Sequence, residues 1–113
     1  MKPQSDAVVL RIYTGEATRF KDKALYKYLI ELFRKEGLSG CTVLRAIDGF
    51  GKTSHAHTAS ILRLSTDLPV VVEVVDNREN IDRIKPMLSG VVTEGLITEQ
   101  TVRVVLYNGK NEG

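Results

Sequence analysis

Apolar residues fall along this chain in a sequence of compact runs, and the period within each run names the element it builds. Ala7 to Thr14 (AVVLRIYT) is dense in β-branched and aromatic residues and predicts a strand. A polar turn, Gly15 to Asp22, follows, and the Asp22 carboxylate stands where it can accept from the free N–H groups of a helical first turn. Leu25, Leu29, Leu32 and Phe33 then recur at helical spacing, with Gly37 as the stop. Cys41 to Ile47 (CTVLRAI) predicts a second strand, and Val70 to Val75, opened by Pro69, a third. Asp76 and Glu79 have capping-box spacing, with Asp in place of Ser or Thr. They precede a helix with Ile81, Ile84, Leu88 and Val91 on one face. Pro86 removes a backbone donor within that run and predicts a kink or an early end. Gly95 reads as a second helix stop, and Gln100 to Tyr107 (QTVRVVLY) as the last strand.

The order is therefore βαββαβ, and its halves echo each other. Glu36-Gly37-Leu38 precedes Thr42-Val43 as Glu94-Gly95-Leu96 precedes Thr101-Val102. This is the split βαβ, or ferredoxin-like, α+β class: a four-stranded antiparallel sheet with two helices on one face. A single domain over 7–107 is expected, with tails at 1–6 and 108–113.

Alternation along each strand divides the sheet into two faces. Leu10, Ile12, Leu44, Ala46, Val70, Val72, Val74, Val102, Val104 and Leu106 are assigned to the helices. The other set holds Val9, Arg11 and Tyr13; Val43, Arg45 and Ile47; Val71, Glu73 and Val75; and Arg103, Val105 and Tyr107. That face is too apolar for water, yet each strand carries one charge near its middle. Glu73 is expected near Arg11 and Arg45, because ions inside an apolar surface must be paired. A large exposed apolar patch implies a partner, and the expectation is a homo-oligomer whose sheets face each other. Arg11, Tyr13, Arg45, Glu73 and Arg103 are its candidate interface residues.

Between the second and third strands the apolar period lapses from Asp48 to Asp67. Long irregular connections in a small domain are usually functional or disordered, so function is expected there. The segment holds Gly49, Phe50, Gly51 and Lys52, where glycine backbone beside a lysine could approach a phosphate. P-loop spacing is absent. It also holds both histidines, His55 and His57, and no tyrosine. His-x-His without a neighbouring Cys, Asp or Glu is a thin metal signal, and no acid in the segment could orient a Ser-His pair. Cys41, the single cysteine, opens an apolar strand and reads as a small core residue.

Composition narrows the class. The 113 residues are 42% hydrophobic and 27% charged with a net charge of +2, which fits a globular domain and suggests no nucleic-acid surface. The first residues lack the apolar core of a signal peptide, and one cysteine fits a reducing compartment, so a cytoplasmic location is expected. Val70 to Val75 carries no aromatic for base stacking, unlike an RNA recognition motif. Tyr13-Thr14-Gly15-Glu16 places an acid where an acylphosphatase needs an arginine-bearing phosphate cradle.

Several stretches resemble a known family. Leu10-Arg11-Ile12-Tyr13-Thr14-Gly15-Glu16, Thr42 through Gly51, His57-Thr58-Ala59-Ser60 and Leu64 through Val71 resemble the bacterial and archaeal family catalogued as domain of unknown function 190 and described as PII-like. The resemblance runs from Val8 to Tyr107. It implies the ferredoxin-like trimer of the wider PII signalling proteins, which bind ATP or ADP in clefts between subunits. Those proteins contact target proteins through a long loop between strands two and three, here 49–67. The resemblance thus implies a non-enzymatic regulatory trimer that takes an adenine nucleotide, or another small anionic ligand, beside Gly49, Phe50, Gly51, Lys52, His55 and His57. Ligand binding would order the loop. Contact with a membrane would come only through a partner protein. The chain departs from PII proteins at Thr93-Glu94-Gly95-Leu96-Ile97-Thr98-Glu99, which is acidic where they carry a lysine-rich phosphate-holding turn. Two alternatives stay open: a metal-handling trimer resembling CutA, through His55 and His57, and a small enzyme acting on phosphate or acyl groups through Lys52 and a histidine.

Overall fold

The computed structural model describes residues 5–51 and 67–109. Strand β1 (Ser5–Gly15) leads into a short hairpin, β2 (Arg19–Phe20) and β3 (Lys23–Ala24), and then helix α1 (Leu25–Lys35). After β4 (Thr42–Arg45) come β5 (Pro69–Asp76), α2 (Arg78–Leu88) and β6 (Leu96–Val104). The large sheet is antiparallel and ordered β4-β5-β1-β6. With the hairpin set aside, this is the expected ferredoxin-like α+β arrangement.

Two periods build the core. Val8, Leu10 and Ile12 of β1 and Val72 and Val74 of β5 alternate toward the helices. They meet Leu25, Leu29 and Phe33 of α1 and Ile81, Ile84 and Leu88 of α2 in one buried cluster. Each such side chain contributes about 1.5–3 kcal/mol when fully removed from water. Leu32, Val43, Cys41 and Val91 pack against its edge.

Several local expectations need correction. Asp22 does not cap α1: it sits with Lys21, at φ +57°, in the turn of the β2–β3 hairpin. The helix starts after Ala24, which makes no side-chain cap, and the Leu25 N–H donates to the Thr18 carbonyl. Asp76 does not cap α2 either. Asn77 does, accepting from the Asn80 N–H through its side chain at 2.8 Å. Pro86 falls in the last turn of α2, and the helix stops at Leu88, short of Val91.

The strand faces differ too. Cross-strand partners share a face, and Val43 is opposite Val72 while Arg45 is opposite Val70. Val43 and Arg45 thus lie on the helix side, and Leu44 faces away from the helices. β6 starts four residues earlier than expected and places Thr101 opposite Val8 and Arg103 opposite Asp6. Its helix side is Ile97, Glu99, Thr101 and Arg103; Leu96, Thr98, Gln100, Val102 and Val104 face away. The expected positions of Arg45 and Arg103 on the helix-free face are corrected. Arg45 is ion-paired with Glu16, and Arg103 lies 3.9 Å from Asp6. Register against the long central strand overrides the apolar alternation of a four-residue edge strand.

Asp76, only 2% exposed, locks this frame. Its carboxylate accepts from the Ser39 N–H and hydroxyl at 2.8 Å, the Asn77 N–H at 2.8 Å and the Asn80 amide at 2.9 Å. One side chain therefore ties the turn after α1 to the start of α2. Desolvation pushes its pKa up, but the donors of Asn80, Ser39 and Asn77 outweigh that and hold it below the ordinary carboxylate value. Its ionised form therefore stabilises the fold fully above the ordinary range near pH 4, and the contribution fades as pH falls through the lower folded value. Asp76→Ala strands those donors and is expected to cost about 2–3 kcal/mol in urea denaturation at pH 7. The gap between variant and parent should narrow as the titration is carried down to pH 2.

Candidate functional site

Three strand ends converge at one end of the sheet. Gly15, the last residue of β1, is opposite Pro69, the first of β5, and Tyr13 is opposite both Val71 and Leu96. The connections are stitched to each other: the Glu16 N–H donates to the Leu68 carbonyl at 2.8 Å, and the Ala17 N–H to Asp67 Oδ1 at 3.2 Å. The Ala46 N–H donates to the Pro69 carbonyl at 2.8 Å, carrying β4 pairing one step further. Between these segments lies a cavity of about 590 Å³. Its walls are residues 13–15 with Thr18, residues 50–51, Asp67 with Pro69, and residues 93–96.

Glycine makes the walls close enough. Gly95 has φ +135°, and a Cβ there would overlap the Tyr13 carbonyl oxygen. The 93–96 wall can press on the β1 backbone only because this residue has no side chain. Gly95 is thus the bend into β6 and not the helix stop expected of it; the glycine immediately before a strand was the available signal. At Gly15 a Cβ would stand 2.5 Å from Asp67 Oδ1.

The cavity is lined by aromatic and apolar groups and by carboxylates. Phe50 is 85% exposed and Leu96 57% exposed at its rim, beside Tyr13 and Pro69. Asp67 and Glu94 supply negative charge, and no lysine or arginine is among the described lining residues. Thr14 is 9% exposed, and its buried hydroxyl has no hydrogen-bond partner among the described residues.

Of the candidate ligand residues, Phe50 and Gly51 line the cavity. Gly49 is adjacent, at φ +147°, with its N–H donating to Asp48 Oδ1 at 2.7 Å. Lys52, His55 and His57 lie outside the described residues. Among the described residues, no three His, Cys, Asp or Glu side chains group as metal ligands. Burial pushes the Cys41 thiol up to about 11, so little thiolate is present near neutrality.

On the helix-free face, Arg11 Nε donates to Glu73 Oε2 at 2.9 Å and Arg11 Nη1 to Gln100 Oε1 at 3.0 Å. Arg11 and Glu73 are each about one-third exposed (31% and 29%), and Tyr13 stands on the same face at the rim of the cavity. Of the five candidate interface residues, the sheet thus gathers Arg11, Tyr13 and Glu73. Arg45 and Arg103 are elsewhere. Gln100, which completes the Arg11 cluster, escaped the sequence reading because β6 starts earlier than its apolar residues suggest.

The fold is one shared with PII-like proteins. Two solved structures share the fold at a TM-score of 0.58 and 14% identity, covering 89% of this chain and 90% of theirs. Both are CPII of Thiomonas intermedia K12, described in one case as a nitrogen regulatory PII-like protein; one is bound to ADP and bicarbonate, the other to ADP, AMP and bicarbonate. The chain belongs to the DUF190 family, described as "Uncharacterized ACR, COG1993", which matches residues 7–104. It is 43% identical over 97 residues to a UPF0166 protein of Aquifex aeolicus, covering 86% of this chain and 91% of that one. It is also 41% identical over 92 residues to UPF0166 protein MJ1524 of Methanocaldococcus jannaschii, covering 80% and 84%.

Gly95→Ala tests whether the close approach of the 93–96 wall is required. The overlap with backbone, added to a strained φ, is expected to cost about 2–4 kcal/mol, read as a fall in thermal midpoint. Gly90→Ala, where an added Cβ meets nothing within 4 Å, is the matched control.

Proposed function

We propose that this protein is a non-enzymatic, cytoplasmic PII-like regulator that works as a trimer. Its sheet-end cavity takes an adenine nucleotide or a related small ligand, and segment 49–67 presents the bound state to a partner protein. The observation that carries this reading is the cavity itself, about 590 Å³ with exposed Phe50 and Leu96 at its rim. That volume suits a small cofactor, and an exposed aromatic ring offers a stacking surface for a base. The CPII structures of the same fold hold ADP, AMP and bicarbonate, which supports the choice of ligand class.

The proposed coupling follows from where the segment is anchored. It leaves the cavity wall at residues 50–51 and returns at Asp67, which is also a wall residue. A ligand touching both anchors would hold the two ends of the segment together, and any difference in its affinity between two states of the protein is what would shift a population. The partner then reads the favoured arrangement.

The trimer reading rests on the helix-free face. Leu44, Val71, Val75, Tyr13 and Val102 share it with the Arg11–Glu73–Gln100 cluster. An ion pair already hydrogen-bonded on both sides can be covered at lower desolvation cost than a bare charge. Facing copies of the sheet would bury both kinds of group together.

Isothermal calorimetry of the purified chain with ATP, ADP, AMP and cyclic AMP is expected to show heat for at least one of them. Phe50→Ala should weaken that ligand about tenfold or more through lost stacking. Silence from every nucleotide up to millimolar concentration would remove the nucleotide reading. For the assembly, sedimentation should give a trimer, and Glu73→Ala, by leaving Arg11 unpaired, should shift it toward smaller species. An unchanged profile would refute the assigned interface.

A further inference from the structure

We infer that the sheet-end cavity selects a nucleoside or a ligand with few phosphates and discriminates against polyphosphates. This rests on the proposed binding of an adenine ligand there and specifies which part of such a ligand the described walls accept. The walls offer one kind of attraction and one kind of repulsion.

The attraction is to rings and to hydrogen-bond donors. Phe50, Tyr13 and Leu96 present aromatic and apolar surface at the rim. Glu94 is exposed and without a partner among the described residues, so its carboxylate is available to a sugar hydroxyl or a ring amine. Carboxylates are the usual acceptors for a ribose diol. Asp67 offers the same chemistry, with Oδ1 already accepting from the Ala17 N–H. The buried Thr14 hydroxyl, unpaired among the described residues, adds a donor and acceptor to the same wall.

The repulsion is to added negative charge. Phosphates are held by cations, by clustered backbone N–H groups or by helix N-termini. The described lining contains no lysine or arginine, and two of its members are carboxylates. Arg45, on the neighbouring strand β4, is committed to Glu16. Each phosphate brought beside Asp67 and Glu94 therefore meets like charge in a partly desolvated site, where such contacts are stronger than in bulk water. Specificity arises here as much from the unfavourable contact with polyphosphate as from the favourable contact with the ring.

The test is calorimetric titration of the full chain with adenosine, AMP, ADP and ATP, in EDTA at fixed low ionic strength. Affinity is expected to fall with phosphate number, with ATP about tenfold or more weaker than adenosine or AMP. Glu94→Gln should strengthen ATP about three- to tenfold while leaving adenosine unchanged or weaker. Raising the salt concentration should narrow the same gap by screening. Asp67→Asn, which retains an acceptor for Ala17, is the second variant and should act in the same direction. ATP binding as tightly as adenosine under these conditions would overturn the inference, as would a Glu94→Gln effect equal on both ligands. Either result leaves the adenine-ligand reading standing. Absence of binding by all four compounds overturns both.

Discussion

Strand β1 is hydrogen-bonded along both edges, to β5 from Val8 to Gly15 and to β6 from Ser5 to Tyr13, and its register fixes where everything else stands. A one-residue slip on either side would exchange the faces of a whole neighbouring strand. Val72 and Val74 of β5, or Ile97 of β6, would lose their place on the helix side. Arg11 would part from Glu73, and Gly95 would no longer meet the Tyr13 carbonyl. Core, charged cluster and cavity wall are three consequences of one pairing. The Asp76 carboxylate secures the opposite end of the β1–β5 pair, where Val8 is opposite Asp76, by joining the turn after α1 to the start of α2.

What the sequence revealed follows from how locally each feature is determined. Leu25, Leu29 and Phe33, and likewise Ile81, Ile84 and Leu88, were legible because a long amphipathic period admits one phase. β1 and β5 were legible for a similar reason, being long and strongly alternating. In β4, by contrast, Val43 and Leu44 are both apolar, and only pairing with β5 decides which faces the core. In β6 the apolar residues Val102, Val104, Val105 and Leu106 drew the expected strand toward the C-terminus. The actual strand is set by the bend at Gly95 and by partners in β1, and most of its helix-side residues are polar or charged. Glu99 shows why that is tolerated: it pairs with Arg78 at 3.0 Å and Lys85 at 2.7 Å, so a helix-facing charge at the sheet margin is answered by α2. Asp22 and Asp76 were misread as caps for a shared reason. Capping chemistry is common to turns, hairpins and buried networks, and the tertiary partner chooses among them.

The candidate site was legible in part. Phe50 and Gly51 stood out because the apolar period lapses around them, and both line the cavity. The opposite wall, residues 93–96, and the end of β1 could not be joined to them from the sequence. They come together only through the β1–β6 pairing and the missing side chain of Gly95. The acidic character of 93–99, in sequence only a departure from PII proteins, becomes a property of the cavity because Glu94 stands in its wall.

Tyr13 connects the two surfaces on which the functional reading depends. Its side chain is on the helix-free face with Arg11 and Glu73, and it also stands at the cavity rim opposite Leu96. A subunit packed against that face and a ligand held at that rim would therefore meet the same ring. Two binding events that share a contact cannot be energetically independent, and their coupling must be reciprocal. Assembly that covers the Tyr13 ring, 39% exposed in the single chain, would change the surface that a ligand meets at the rim. In this arrangement a trimer would do more than enlarge the surface: it would set the conformation of one wall of each cavity before any ligand arrives.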